Sequence, residues 1–284
     1  MSAATAPTWP APQHGGALGW DDPRTAEAYA AFDASYGRYA AASRAVVRHA
    51  RIRRSDRVLD LGAGIGGTTH AVLTRLNGDG RVVCVEPARA MRAAGESRVL
   101  DPRVRWLATL PAADAAFDRI VCSAAIWLLQ PLGQTFAMLA RALAPGGLLS
   151  FNVPALYLGE PDAPGGGTDP LLLRLPAEIA AGHTFDGQER IRGRLPCDPT
   201  PVPADVASVE STLATAGFRS RRWRFRVRLT QPMLRDWMKI PVVTDPLLAP
   251  LAPAARNAII DAAYERCDPA SWRWERWIGW TAQR

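Results

Sequence analysis

Short apolar runs alternate with helix-periodic stretches through the first half of the chain. RVLDLG (57–62), RVVCVE (81–86), VRWLAT (104–109), FDRIVCSA (117–124) and GLLSFNVP (147–154) are rich in Val, Leu and Ile and bounded by Gly, Pro, Asp or Asn. Continuous rather than alternating apolar runs read as strands covered on both faces. The segments between them, through His70 to Leu76, near Ala88 to Gly95 and at about 134–143, carry helical patterns. Strand and helix in alternation predict βαβ units and a doubly wound, mostly parallel open sheet with helices on both faces, an α/β fold of Rossmann-like type.

Additions flank this core. Residues 1–19 are rich in Ala, Pro and Gly without periodicity and read as a mobile tail. Residues 22–50 read as helix, with Tyr29, Phe32, Tyr36 and Tyr39 in one stripe that Val46 and Val47 continue. After Pro154 the rhythm breaks: GEPDAPGGGTDP and RLPCDPTPVPAD are loop chemistry, so 156–204 reads as a cap insertion over the sheet. VASVESTLATAGF predicts a helix ending at Gly217, Ser220–Leu229 a strand, about 231–268 a helical insertion, and WERWIGWTAQ a closing strand. The expected division is tail 1–19, lid helix and nucleoside-binding core 20–155, substrate cap 156–204, and completion of the sheet 205–284.

Composition narrows the partners. The 284 residues carry a net charge of +7, but the excess is arginine, with Lys239 the single lysine. In the cluster Arg219–Arg228 the arginines alternate with Trp223, Phe225 and Val227, as in a strand with one buried and one solvated face. No nucleic-acid partner is expected on that basis. The cysteines at 84, 122, 197 and 267 are too scattered for a metal box, and none is expected to hold a metal. Cys84 and Cys122 fall in strand-like runs and read as reduced core thiols. No apolar run approaches the roughly 18–20 residues of a membrane span, and the opening residues lack a signal peptide's basic start and apolar stretch. A cytoplasmic protein with no membrane partner is the expectation, with homodimer formation left open.

The chemistry concentrates after the first strand. Asp60-Leu-Gly62-Ala-Gly64-Ile-Gly66-Gly67 closes that strand and opens a helix, where an open α/β sheet binds a nucleoside ligand at its topological switch. Glu86 ends the second strand, 26 positions after Asp60, where a carboxylate accepts from both ribose hydroxyls. Gly62, Gly64 and Gly67 also satisfy GxGxxG, the dinucleotide pattern. Asp60 would crowd a pyrophosphate but suits the ammonium of a methionine moiety.

On VLDLGAGIGG, VCVEPARAM, FDRIVCSAAIWLL and ALAPGGLLSF, in this order from about residue 25 to 154, the sequence resembles the class I methyltransferases that use S-adenosylmethionine (SAM). The resemblance implies a Rossmann-like class I methyltransferase sheet. It implies SAM lined by Gly62 and Gly64, with its ribose on Glu86 and its adenine between Met91, Thr109 and Leu110. Asp60 and Ser123 would then lie near the methionine moiety, with Tyr29 closing over it. Two departures stand out: WLATLP offers no acidic partner for the adenine amino group, and Ile126-Trp127 stands where such enzymes often place a histidine.

Methyl transfer from a sulfonium is an in-line displacement in which alignment alone supplies about 7–11 kcal/mol. A base matters only when the acceptor must lose a proton early. His183, in AAGHTFDGQE, and Tyr36 are the candidate catalytic groups, with Asp186 and Glu189 close to the former. His14 lies in the tail, His49 ends a basic helix, and His70 is expected to pack on the glycine-loop helix. Ten tryptophans, with Trp127, Trp223 and Trp237 expected near the acceptor side of the sheet, suggest walls that stack a flat ring. The resemblance extends to bacterial enzymes that tailor natural products, which implies a small aromatic acceptor methylated at oxygen, nitrogen or a ring carbon such as indole C3. A nucleic-acid methyltransferase, a SAM-bound cyclase or binding scaffold, and an NAD enzyme are the competing readings.

Overall fold

The computed structural model describes residues 19–111, 117–160, 162–166, 205–248 and 251–284. Strands β1 (Arg57–Leu61), β2 (Arg81–Val85), β3 (Val104–Leu107), β4 (Phe117–Ser123) and β5 (Leu143–Pro154) run parallel in the order β3-β2-β1-β4-β5. Beyond β5 the sheet turns antiparallel through β8 (Trp272–Gln283), which pairs along its whole length with the edge strand β7 (Arg219–Thr230). A short β6 (Ala163–Gly166) pairs with the start of β8, ahead of the stretch that β5 occupies. The order reverses between β1 and β4, and the loops leaving those two strands meet there.

The continuous apolar runs are covered on both faces, as such strands must be. On one face α2 (Arg38–Ala50) and α3 (Gly67–Leu73) cover Val58, Val82, Cys84 and Val121 with Val46, Val47, Ala50 and Val72. On the other, α5 (Leu132–Ala142) and α6 (Val206–Thr215) bring Phe136, Leu139, Val209 and Leu213 onto Leu59, Ile120, Phe151 and Trp280. The last strand is buried on both faces: Trp280 is wholly buried in this second cluster, and Trp277 is wholly buried with Ala42 and Val227. The arginines of β7 are exposed beside Val227 and Leu229, which are buried. Several have local partners: Arg222 pairs with Glu210, Arg224 with Glu160, and Arg226 and Arg228 lie over Trp274 and Trp272.

The expected single helix over 22–50 is two. Helix α1 (Pro23–Ser35) is capped by Asp22, whose carboxylate accepts from the Arg24 amide, and it stops where Tyr36 turns extended (φ −132°, ψ 134°) before Gly37. Glycine is the weakest ordinary helix former, so the break falls there. The bend lets α2 run under the sheet while α1 leaves it. Helix α1 instead joins the three helices of the second addition, α7 (Gln231–Met238), α8 (Pro241–Leu248) and α9 (Pro253–Glu265). Phe32 is buried among Met233, Leu234, Trp237, Met238, Ile259 and Ile260, with Leu229 at the end of β7 beneath them. The helical addition and the N-terminal helix therefore form one apolar body. Elsewhere element ends differ by a few residues from the sequence pattern: the glycine-loop helix starts at Gly67, β3 stops at Leu107, and the last strand begins at Trp272. Within the expected 156–204 insertion, a 3-10 turn over Ala155–Leu158 and strand β6 are described, while 167–204 lie outside the described residues, as does the tail through residue 18. Among the described residues no helix is long and apolar enough to cross a membrane.

Candidate functional site

The glycine loop lies over the switch point. Gly62 and Ala63 donate their N–H groups to the Val85 carbonyl at 2.8 and 3.2 Å, which pulls the end of β1 against the end of β2. Gly62 (φ +68°) and Gly64 (φ +54°) lie in the left-handed region, which costs a residue with a Cβ about 1–2 kcal/mol. A Cβ on Gly62 would come within 2.6 Å of Ala125 Cβ, and one on Gly64 would touch Met91 Cε at 3.5 Å. The loop is thus a cradle of bare backbone against which Ala125 and Met91 rest, with α3 rising from it.

Two carboxylates flank the cradle. Glu86, at the end of β2, accepts from the Gly64 N–H through Oε2 (2.8 Å) and from the Ala88 N–H through Oε1 (2.9 Å). Burial raises its pKa while these two N–H groups work against the rise. Each carboxylate oxygen keeps a second lone pair, which is what vicinal ribose hydroxyls require. Asp60, wholly buried, accepts from Thr69 Oγ1 at 2.6 Å through Oδ2, and its Oδ1 has no partner. Burial pushes its pKa up to about 7, with the Thr69 hydroxyl opposing. An orphaned carboxylate oxygen next to a glycine cradle fits a ligand that brings a cation.

Asp60 also yields a pH prediction. Its folded-state pKa lies above the ordinary 3.8, so the stability it contributes is full below pH about 4 and lost as pH rises to about 7. Asp60→Asn in the ligand-free protein should therefore flatten the fall in stability between pH 4 and 7. Urea denaturation at several pH values measures this, and parallel wild-type and variant curves would contradict it.

The side on which the adenine was expected is built by α4 (Arg89–Arg98) and α1. Met91 is buried with Ile65 and Ala26, and Tyr29 packs on that group while stacking on Tyr39 at 5.1 Å and meeting Trp20 edge-on at 5.8 Å. Asp21 accepts from the Ala90 N–H at 3.1 Å, and Asp33 pairs with Arg98 at 3.8 Å, so α1 is fastened to α4. Thr109 is exposed just past β3, and Leu110 packs partly against the core.

Past β4, Ser123 donates to Asn152 Oδ1 at 3.4 Å. Ala124, at φ +57°, gives its N–H to the same oxygen at 3.0 Å. Asn152 is wholly buried in β5 and donates to the Ala42 carbonyl at 2.9 Å, so it ties the β4 loop to α2. Its signal was a polar residue inside an otherwise apolar strand run. Trp127 donates to the Ala124 carbonyl at 2.8 Å and stacks on Tyr157 at 4.7 Å.

The aromatic stripe continues outward. Trp237 of α7 donates to the Tyr39 hydroxyl at 3.0 Å, and the Arg38 guanidinium lies 4.7 Å from the Trp237 ring. Arg38 forms a buried, two-pronged pair with Glu275 of β8, a charge pair without a signature in the sequence pattern. The Tyr36 hydroxyl donates to Asp236 at 2.6 Å, and burial with that bond pushes its pKa up to about 12. Tyr36 therefore fastens α1 to α7, whereas Tyr29 faces the cradle side. His183, Asp186 and Glu189 lie outside the described residues. His70 is exposed rather than packed, because it falls on the solvent side of α3. His49 stacks on Trp223 at 4.1 Å, and burial with neighbouring arginines lowers its pKa.

Comparison with known proteins agrees with this geometry. Residues 58–147 match the methyltransferase domain family. A trans-aconitate 2-methyltransferase from Variovorax paradoxus is 34% identical over 102 residues, which span 34% of this chain and 38% of that protein's length. Among solved structures, the YcgJ protein of Bacillus subtilis superposes with a TM-score of 0.53 at 17% identity over 85% of this chain and 98% of its own. A putative methyltransferase from Bacillus halodurans C-125 gives 0.52 at 12% identity, again over 85% and 98%. These structural likenesses establish the fold.

Proposed function

We propose that the chain, whose residues 58–147 match the methyltransferase domain family, transfers the methyl group of SAM to a small, flat, aromatic acceptor. The observation that carries the donor half is the cradle itself: two left-handed glycines, the Glu86 carboxylate beside Gly64, and an unpaired Asp60 oxygen at the sheet's switch point. SAM, when bound, supplies an electrophilic methyl on a sulfonium. In this reading Glu86 accepts from the ribose hydroxyls, Gly62 and Gly64 line the donor, and Asp60 draws the ammonium. Met91, Thr109 and Leu110 border the adenine, Ser123 lies toward the methionine moiety, and Tyr29 closes the site. Tyr36 keeps a holding role through Asp236 rather than a proton-transfer one, since a phenol held near 12 is a poor base or nucleophile at neutral pH.

For the acceptor half, Trp237 and the Trp127–Tyr157 stack support an aromatic ligand by stacking. His183 is proposed to approach it from the cap. The fully buried strand thiols Cys84 and Cys122 support a reducing, cytoplasmic setting. The alternating packing of the β7 arginines supports a small-molecule partner over a nucleic acid.

Glu86→Ala should weaken SAM and S-adenosylhomocysteine binding by about 1–3 kcal/mol, the usual loss for hydrogen bonds to a charged group, with the fold retained. Calorimetry of the purified chain against SAM, S-adenosylhomocysteine and NAD is the test. Binding of the first two, a loss in the variant and none of NAD is expected. An unchanged affinity in the variant would remove Glu86 from the site, and NAD binding without SAM would overturn the reading. SAM binding with no S-adenosylhomocysteine formed from any aromatic, trans-aconitate or RNA substrate would favour a cyclase or scaffold. trans-Aconitate turnover in place of aromatic turnover would move the acceptor to polycarboxylates.

A further inference from the structure

A small cavity lies between Pro154 at the end of β5, Tyr157, Asp162 ahead of β6, Leu234 and Trp237 of α7, and Arg273 and Glu275 of β8. Packed side chains link its wall to Tyr29, through Trp237 and Tyr39, and Tyr157 stacks directly on Trp127. Its charges cancel: Arg38 pairs with Glu275, and Arg273 Nε lies 3.1 Å from Asp162 Oδ2. A net field therefore selects neither an anion nor a cation.

What the cavity lacks is hydrogen-bond partners. The Asp162 side chain is nine-tenths buried, and its Oδ1 has no partner. Arg273 Nε is near Asp162 but out of line for a hydrogen bond, so it too is unsatisfied. Leaving such buried groups unmet is costly, and burial raises the Asp162 pKa, with Arg273 and the Arg276 backbone N–H opposing and Glu275 adding to the rise. One atom that both donates and accepts, a hydroxyl oxygen, answers both needs at once. The surrounding Tyr157, Trp237, Leu156, Leu229 and Leu234 are apolar and suit the carbon skeleton that carries such a hydroxyl.

Resting on the proposed methyl transfer to an aromatic acceptor, we infer that this cavity, with room for about 30 Å³, receives the acceptor's hydroxyl, and that the acceptor is an uncharged, hydroxyl-bearing flat ring whose hydroxyl hydrogen-bonds to Asp162 Oδ1 while the ring itself stays outside. Asp162 is then the specificity-determining residue, and Arg273 positions it. The hydroxyl is the recognition handle, whichever atom receives the methyl group.

Matched probes test this. The full chain saturated with S-adenosylhomocysteine is titrated with 2-naphthol against 2-methoxynaphthalene, and with 7-hydroxycoumarin against 7-methoxycoumarin, followed by ligand-observed NMR. The hydroxylated member of at least one pair should bind about tenfold tighter, the size of one hydrogen bond to a charged group. In Asp162→Ala the preference should vanish while S-adenosylhomocysteine affinity stays as in wild type. Asp162→Asn keeps a carbonyl acceptor and should retain part of the preference, which provides a reading if the alanine variant does not fold. Equal binding within every pair, absence of binding by any probe, or a preference that survives in Asp162→Ala overturns the inference. Tighter binding of indole than of either hydroxylated probe does so as well. Loss of S-adenosylhomocysteine binding by wild type would instead sink the methyltransferase reading, so the two failures are distinguishable.

Discussion

Replacing Arg38 by methionine is expected to lower the free energy of unfolding by about 3–5 kcal/mol, the cost of stripping one partner from a buried ion pair. Both side chains are at least nine-tenths buried, and Arg38 Nε donates to Glu275 Oε2 at 2.9 Å. The same carboxylate oxygen accepts from Trp277 Nε1 at 2.7 Å, and Arg38 NH1 reaches the Tyr39 hydroxyl at 3.2 Å. Methionine matches the arginine stem but leaves the Glu275 anion in a cavity that already holds the Asp162 carboxylate. The double variant Arg38→Met, Glu275→Gln removes both charges and should recover most of the loss, because an apolar or neutral replacement of a whole buried pair is often tolerated. Denaturant titration of the wild type, Arg38→Met, Glu275→Gln and the double variant forms the cycle. A single variant within 1 kcal/mol of wild type, or a double variant no better than the single, would show that the pair is not a coupled buried unit.

That pair marks where sequence reading stops. The sheet was legible because each strand is a continuous apolar run and each crossover carries helical spacing. The glycine turn was legible because left-handed backbone demands glycine, and Asp60 and Glu86 were legible as the acidic residues that end the two strands beside it. Arg38 and Glu275 are 237 positions apart in the chain, and each looks like an ordinary surface charge until α2 and β8 are placed side by side. Asp162 and Arg273 meet for the same tertiary reason. The break at Tyr36–Gly37 went unread because the aromatic stripe keeps its three- and four-residue steps across it. The stripe then serves two partners, Tyr29 toward Met91 and Ile65, and Tyr36 toward Asp236. Asn152 shows the opposite case, a buried polar residue whose presence in an apolar strand was visible and whose purpose was not. Its partners, the Ala124 amide and the Ala42 carbonyl, belong to elements that only the fold brings together.

Gly62→Val is the change expected to act most strongly on the donor. At φ +68° a β-branched residue is strained, by about 1–3 kcal/mol. Its Cβ would also stand 2.6 Å from Ala125 Cβ, so the loop after β4 must shift, at a similar overpacking cost of about 1–3 kcal/mol. The branched side chain would then occupy the cradle proposed to hold the donor. SAM binding should fall by at least about a hundredfold, equivalent to roughly 2.7 kcal/mol. Strain and occlusion must be separated. Gly146 has a similar φ of +74° with nothing within 4 Å of an added Cβ, so Gly146→Val reports strain alone and should leave SAM affinity intact. Gly62→Ala combined with Ala125→Gly removes the atom that the new methyl group would strike, relieving the clash while keeping the methyl group in the cradle. If that folded double variant still binds SAM as poorly as Gly62→Val, the cradle is the donor site and its glycine is required by the ligand as well as by the turn. If it binds like wild type, Gly62 serves the contact between the two loops, and the donor's position must be drawn from Glu86 and Gly64 instead.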